Sequence, residues 1–147
     1  MDAVFFYLFL FFLCVLIIFY LTIVKPKKRE ETARVKAEEL DKQIQELSQR
    51  VLVVTSSTVP GKEIKRVIGA VTGVSKTEAS TDAEFKLAEK EALLDIMQKA
   101  IELGANAIVD LKMTTGSYEK RVWIDIGSQK GYRMVSKVTY TGTAVIV

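Results

Sequence analysis

The chain has 147 residues, 49% hydrophobic and 27% charged, with a formal net charge of +3, no histidine and one cysteine. This length holds one small core plus a connector, and a single cysteine excludes an internal disulfide framework and fits a reducing compartment. The positive surplus is confined to Lys25, Lys27, Lys28 and Arg29, since residues 30 to 147 are neutral in sum, which argues against a nucleic-acid-binding domain.

Ala3 to Val24 is a run of Phe, Leu, Ile and Val with nothing more polar than Tyr7, Cys14, Tyr20 and Thr22. At about 1.5 Å per helical residue it reaches roughly 33 Å, enough to cross a hydrocarbon core. It predicts one transmembrane helix over residues 1 to 24. It is apolar all round and holds no ionisable group, as an anchor would be. A cleaved signal fits poorly, because no Lys or Arg precedes the run and no small residues close it. The basic flank of Lys25, Lys27, Lys28 and Arg29 predicts a membrane-interface role, with the N-terminus outside and the remainder cytoplasmic.

Pro26 predicts a break or kink just past the span. Residues 25 to 50 then read as a basic juxtamembrane segment and a helical stalk. Ala33, Ala37, Leu40, Ile44, Leu47 and Val51 follow at alternating steps of four and three, a heptad seam. In a parallel assembly Lys36 would face Asp41 of a neighbouring chain. The same spacing fits an amphipathic helix lying on its own domain equally well; the expectation adopted is a self-associating stalk of about 30 Å, a short coiled coil with Ala37, Leu40, Ile44, Leu47 and Val51 as its assembly seam.

Residues 51 to 147 read as an α+β domain: a small, mainly antiparallel sheet around one long helix. Val51 to Thr58 predicts a strand, Val59-Pro60-Gly61-Lys62 a type II turn, and Glu63 to Ser75 a second strand. Gly69 and Gly73 interrupt that strand, which fits a bend in the sheet, a subunit contact or a ligand pocket. Ser80, Thr81 and Asp82 are candidate caps for a helix from about Ala83 to Leu103, whose expected buried face is Phe85, Ala88, Ala92, Ile96, Ala100 and Leu103. Leu93, Met97 and Ile101 widen that stripe, and Gly104 stands where a left-handed residue ends a helix. Strands are expected over Ala107 to Thr115, Tyr118 to Ile126 and Tyr132 to Val147, with a loop from Gly127 to Gly131.

Thr58-Val59-Pro60-Gly61 leading into Ile64, Gly69-Ala70-Val71-Thr72-Gly73, Leu103-Gly104-Ala105-Asn106-Ala107-Ile108-Val109 and Gly142-Thr143-Ala144-Val145 occur in an order that resembles the YbjQ family, also labelled the heavy-metal-binding domain family. The likeness covers residues 51 to 147. It implies a small α+β subunit assembling as a ring, typically a pentamer, and brings no established reaction. Gly61, Gly69, Gly73, Gly104 and Gly142 are its structural glycines. The region from Thr115 to Arg133, with Trp123, is enlarged relative to the family, and the short connection before the helix lacks a glycine-rich insert.

The donor set does not suit the metal label. Zinc and copper want thiolate or imidazole, and the only cysteine lies in the predicted span. Asp82 with Glu84, or Asp110 with Glu119, are the carboxylates left for calcium or magnesium, and none forms a recognised ligand loop. No catalytic constellation is legible: a Ser, Thr or Lys nucleophile would need unusual activation, and Gly69 to Gly73 lacks the lysine and following helix of a phosphate loop. Tyr118, Trp123, Tyr132 and Tyr140 fit core or subunit contact. The sequence therefore predicts no enzyme and no cofactor, but a membrane-anchored, self-assembling ring that acts as a scaffold or ligand-binding protein, with lipid and its own copies as partners. The alternatives are an oligomeric membrane pore or effector and a weak metal binder acting through carboxylates only. Against the pore, the span has no polar face and no small-xxx-small pattern.

Overall fold

The computed structural model describes residues 3–123 and 130–147. Helical backbone runs from Ala3 in three pieces: α1 (Ala3–Phe19), a π-helical turn (Tyr20–Val24) and α2 (Lys25–Ser48). The single α-helix expected over Ala3 to Val24 is thus divided. α1 alone has 17 residues, and among the described residues no helix is long and apolar enough to cross a membrane. The break expected at Pro26 is a widening instead: the Lys25 N–H donates to the Tyr20 carbonyl, five residues back, and Pro26 lies in the first turn of α2. A proline inside a helix removes one N–H and crowds the carbonyl four residues earlier. A π turn just upstream absorbs that misfit while the chain stays helical.

The remaining elements are β1 (Leu52–Val53), β2 (Arg66–Val74), α3 (Asp82–Glu102), β3 (Ala107–Trp123) and β4 (Lys130–Ile146). They form one four-stranded sheet in the order β1-β3-β4-β2. β4 is antiparallel to both neighbours, whereas β1 runs parallel to β3. The sheet is therefore mixed rather than purely antiparallel, because α2 delivers the chain to the β3 edge in the direction that β3 takes later. The strand expected over Val51 to Thr58 shrinks to two ladder residues. Opposite it, Asp110 bulges with φ 54°; the Val54 N–H donates to the Ile108 carbonyl, and the Val54 and Ser56 carbonyls accept from the Leu111 and Asp110 N–H groups.

α3 lies across the sheet and seals the core. Ala88, Ala92, Ile96 and Ala100 on the helix are fully buried with Ile108, Val138 and Ala144 on the strands. Small residues let helix and sheet come close, and β2 answers with Gly73: a Cβ there would fall 2.2 Å from the Ala92 carbonyl oxygen. Thr81 caps the helix by accepting the Glu84 N–H at 3.3 Å. At the other end Gly104 takes φ 77°, and its N–H bonds Ile101 while the Ala105 N–H bonds Ala100, both at 2.9 Å. That is the paired ending that satisfies the last carbonyls of a helix. Leu103, expected on the buried face, is 51% exposed because it lies in this cap, past the last helical turn.

β3 and β4 are one long hairpin, paired without interruption from Lys112↔Thr141 to Trp123↔Lys130. The break expected between Thr115 and Tyr118 does not occur, since Gly116 and Ser117 pair with Lys137 and Ser136. Most of the expected Gly127 to Gly131 loop, and the last residues of the expected Tyr118 to Ile126 strand, lie outside the described residues.

Candidate functional site

Of the residues singled out from sequence, Ser80, Thr81, Asp82, Glu84 and Arg29 meet at the N-terminal end of α3. Thr81-Asp82-Ala83-Glu84 spells a hydroxyl N-cap with a glutamate three residues on, which folds back to satisfy orphan donors. Here the Glu84 carboxylate accepts the Ser80 N–H at 2.9 Å and the Ser80 hydroxyl at 2.8 Å. On its other side it pairs with the Arg29 guanidinium of α2. Glu84 is 3% exposed. Burial pushes its carboxyl up, but the two Ser80 bonds, Arg29 and the nearby Arg133 of β4 outweigh it and hold the group below the usual carboxylate range. The serine–glutamate contact looks like a nucleophile and its base. A carboxylate made less basic and tied to arginine is poorly suited to take a proton, so the arrangement is a structural junction between α2, α3 and the hairpin.

The expected membrane-interface cations divide accordingly. Lys27 and Lys28 are exposed beside Lys25, while Arg29 is drawn to Glu84. The heptad seam is turned inward. Ala33 and Ala37 are buried against Ala83 and Leu87 with Leu40 packed on them, Ile44 and Leu47 pack on the main core, and Val51 is buried within it. Asp41, expected to face Lys36 of another chain, pairs with Lys90 of its own α3. With Arg29 at Glu84 and Asp41 at Lys90, α2 and α3 run in the same direction. The seam thus serves contact within the chain, the second of the two readings its spacing allowed. α2 is docked on the domain and is no free stalk.

Of the structural glycines, Gly61 occupies the expected turn with φ 72° and a Lys62 N–H to Val59 bond of 3.2 Å. Gly69 lies at a register shift in β2. Gly73 marks close approach to α3, not a ligand. Gly142 stands opposite the Asp110 bulge, where a Cβ would meet Ile108 Cγ2 at 2.7 Å. Of the aromatics, Tyr140 is in the core with its hydroxyl 3.2 Å from Glu89. Tyr118 and Tyr132 are exposed on the hairpin, and the Trp123 side chain lies outside the described set.

Two open grooves flank the junction. One of about 410 Å³ runs between α2 and α3, with Arg34, Lys86 and Lys90 facing Glu38 and Asp82. The other, of about 290 Å³, lies between the start of α3 and the hairpin and is lined by Ser80, Thr81, Phe85, Met134 and Ser136. Mixed charge in the first and hydroxyls beside apolar side chains in the second suit polar or amphipathic contact. The Glu84 contacts were the feature that sequence reasoning missed. The Thr81-to-Glu84 capping spacing was the signal that pointed to them.

Fold and site together define an α+β domain: a mixed sheet, one sealing helix and a second helix docked beside it. Residues 76–147 match the family model YbjQ_1, described as "Putative heavy-metal-binding". The chain therefore carries a YbjQ-family domain over those residues. The match begins after β2, so Thr58 to Ile64 and Gly69 to Gly73, which also suggested the family, fall outside it. A crystal structure of a DUF74-family protein of unknown function from Pediococcus pentosaceus ATCC 25745 is similar at 20% identity and a TM-score of 0.42, covering 66% of this chain and 97% of that one. No curated protein matches the chain. No enzymatic family is indicated.

The residues present do not fit a heavy-metal site. There is no histidine in the chain, and Cys14 lies on α1, away from the domain. Among the described residues no three Cys, Asp or Glu side chains converge on a common point. Glu84 is committed to Arg29 and Ser80, and Asp110 and Glu119 are separate and exposed.

Proposed function

We propose that the chain is a membrane-anchored, self-assembling ring subunit that acts as a scaffold or ligand-binding protein, with its domain on the cytoplasmic side. The observation that carries this reading is the outward display of α1 and the π turn. Phe9, Phe11 and Phe12 are 66%, 71% and 62% exposed, and Leu10, Leu13, Val15 to Tyr20, Ile23 and Val24 are exposed with them. So large an apolar surface is covered by something in the working protein. Neither α1 nor the π turn spans a membrane alone, but helical backbone continues through both, and in this reading the 22 apolar residues from Ala3 to Val24 act together as one rod of roughly 33 Å, the reach a hydrocarbon core requires. The basic flank that follows gives the orientation.

Two features support assembly. The family resemblance implies a ring of five, and β2 is an outer strand of nine residues that includes Val67, 62% exposed. An outer strand of that length is a template for pairing with another copy, and repeated head-to-tail pairing closes a ring. With the α2 seam occupied by α3, the sheet edges are the surfaces left for this.

Cys14 provides the test, as the only thiol in the chain. In native membranes a hydrophilic maleimide is expected to leave Cys14 unmodified until the chain is denatured in detergent. Prompt labelling in intact membranes, or recovery of the chain in the soluble fraction, would overturn the anchor.

A further inference from the structure

The outer half of the β3–β4 hairpin stands beyond the rest of the sheet. β2 pairs with β4 only from Thr139 to Ile146, so Thr115 to Trp123 and Lys130 to Val138 form a two-stranded ribbon touched from the side by the Ala79–Ser136 bridge. Nine paired positions span roughly 26 Å at about 3.3 Å per residue. A two-stranded ribbon of this length is marginal in water unless something covers it. It carries Tyr118, Tyr132 and Met134 at 40%, 64% and 57% exposure. Its sequence holds five cations, Lys120, Arg121, Lys130, Arg133 and Lys137, against one carboxylate, Glu119. Although residues 30 to 147 are neutral in sum, these ribbon positions carry a net charge of +4.

Its direction follows from its neighbours. β3 starts at Ala107 beside Leu52, just beyond the C-terminal end of α2. It runs back against the direction of α3 to the level of Ala79 and Ser80, before the first turn of α3. There Glu84 holds Arg29, five residues past the end of the apolar rod, and Arg133 of the ribbon lies close enough to act on the same carboxylate. The ribbon therefore projects from the end of the domain at which the Lys25-to-Arg29 flank emerges.

We propose that this ribbon is a second lipid-contacting element, laid with Arg121 and Tyr132, a cross-strand pair on one of its faces, against an anionic headgroup layer beside the entry of the N-terminal rod. The proposal rests on the anchor reading above. A tyrosine with an apolar body and a polar tip belongs at headgroup level. Arg121 already sits 5.7 Å above the Tyr132 ring and donates to its hydroxyl at 3.2 Å, so charge and ring present one surface. Glu78 takes up part of the Lys120 charge at the root of the ribbon and Arg133 lies near Glu84, which leaves Arg121 as the principal contact. A second copy is the poorer occupant, because two such ribbons facing each other bring like charges together.

The test uses the full chain reconstituted in vesicles of phosphatidylcholine alone or mixed with phosphatidylglycerol, with a nitroxide quencher on the lipid headgroup. Three single-site fluorescent labels are compared: native Cys14, and, in a Cys14→Ser background, Met134→Cys on the ribbon and Leu103→Cys at the opposite end of the domain. We expect quenching at Met134→Cys in the anionic vesicles, loss of that quenching in high salt, and none at Leu103→Cys. Each cation near an anionic surface is worth about fivefold in occupancy, so R121E, which removes one cation and adds a repelling charge, should lower the docked fraction at least ~10-fold. An unquenched Met134→Cys label with a lipid-immersed Cys14 label would overturn the ribbon and spare the anchor. A Cys14 label outside the lipid would overturn both. Burial of the Met134→Cys label that persists in neutral vesicles and grows with protein density would identify a second copy as the occupant and also overturn the proposal.

Discussion

Gly73 carries the closest contact between α3 and the sheet, and Gly73→Ala tests the packing there. The added methyl would lie 2.2 Å from the Ala92 carbonyl oxygen, 2.6 Å from the Ile96 nitrogen and 2.7 Å from Ile96 Cβ. Comfortable separations of such atoms are about 3.3 Å or more, so α3 would have to lift by about 1 Å. No rotamer can relieve the clash, because the two nearest atoms are backbone. The helix turns that must move bury Ala88, Ala92, Ile96 and Ala100. Overpacking a core costs about 1–3 kcal/mol and occasionally more, and shifting a whole helix belongs at the top of that range. At about 2–4 °C per kcal/mol for a chain of this size, the melting temperature should fall by roughly 6–12 °C. Far-UV circular dichroism melting of the full chain in detergent would read this. Gly116→Ala is the matched control: a Cβ there meets open space, so its effect should stay within about 0.5 kcal/mol. Equal melting of Gly73→Ala and the unsubstituted protein would refute the close packing of α3 on β2.

Three further outcomes follow from the same contacts. Glu84→Gln should cost about 1–2 kcal/mol at neutral pH, less than for a fully buried pair because Arg29 is half exposed. Because the folded state depresses the Glu84 pKa, its contribution is present above the ordinary carboxylate range and lost as pH falls through the folded value; the variant should therefore lose less stability on acidification. Tyr140 is pushed up to about 12, by burial first and then by Glu89. Its neutral form is thus favoured in the folded state, and the stability linked to it should decline between pH ~10 and about 12, a decline that Tyr140→Phe removes in alkaline melting curves. Finally, Leu40→Cys in a Cys14→Ser background should form no intersubunit disulfide in membranes, since Leu40 packs on the Ala83–Leu87 side of its own α3; efficient crosslinking would contradict that docking.

The elements written in local chemistry were legible in the sequence. Gly104 ended α3 where a left-handed residue was expected, Pro60-Gly61 made the turn, and the alanines of α3 faced the sheet. What local pattern could not decide was which partner each apolar face meets. Ala33 to Val51 has the spacing of a coiled-coil seam, yet such spacing serves any helix-on-helix contact, and α3 is the nearer partner. Gly116 and Ser117 read as a strand break because neither favours a strand. Pairing with Lys137 and Ser136, including a hydroxyl contact of 2.8 Å between Ser117 and Ser136, carries the hairpin through them. The gathering of cations on the ribbon was hidden for a related reason. Lys120 and Arg121 are well separated in sequence from Arg133 and Lys137, and only strand pairing brings them together.

Native mass spectrometry of the full-length particle extracted from the membrane fraction tests the assembled, anchored ring most directly. The account predicts one closed species of five times the 16.5-kDa chain. A particle with the mass of one chain, or an absence of the protein from the membrane fraction, would contradict it.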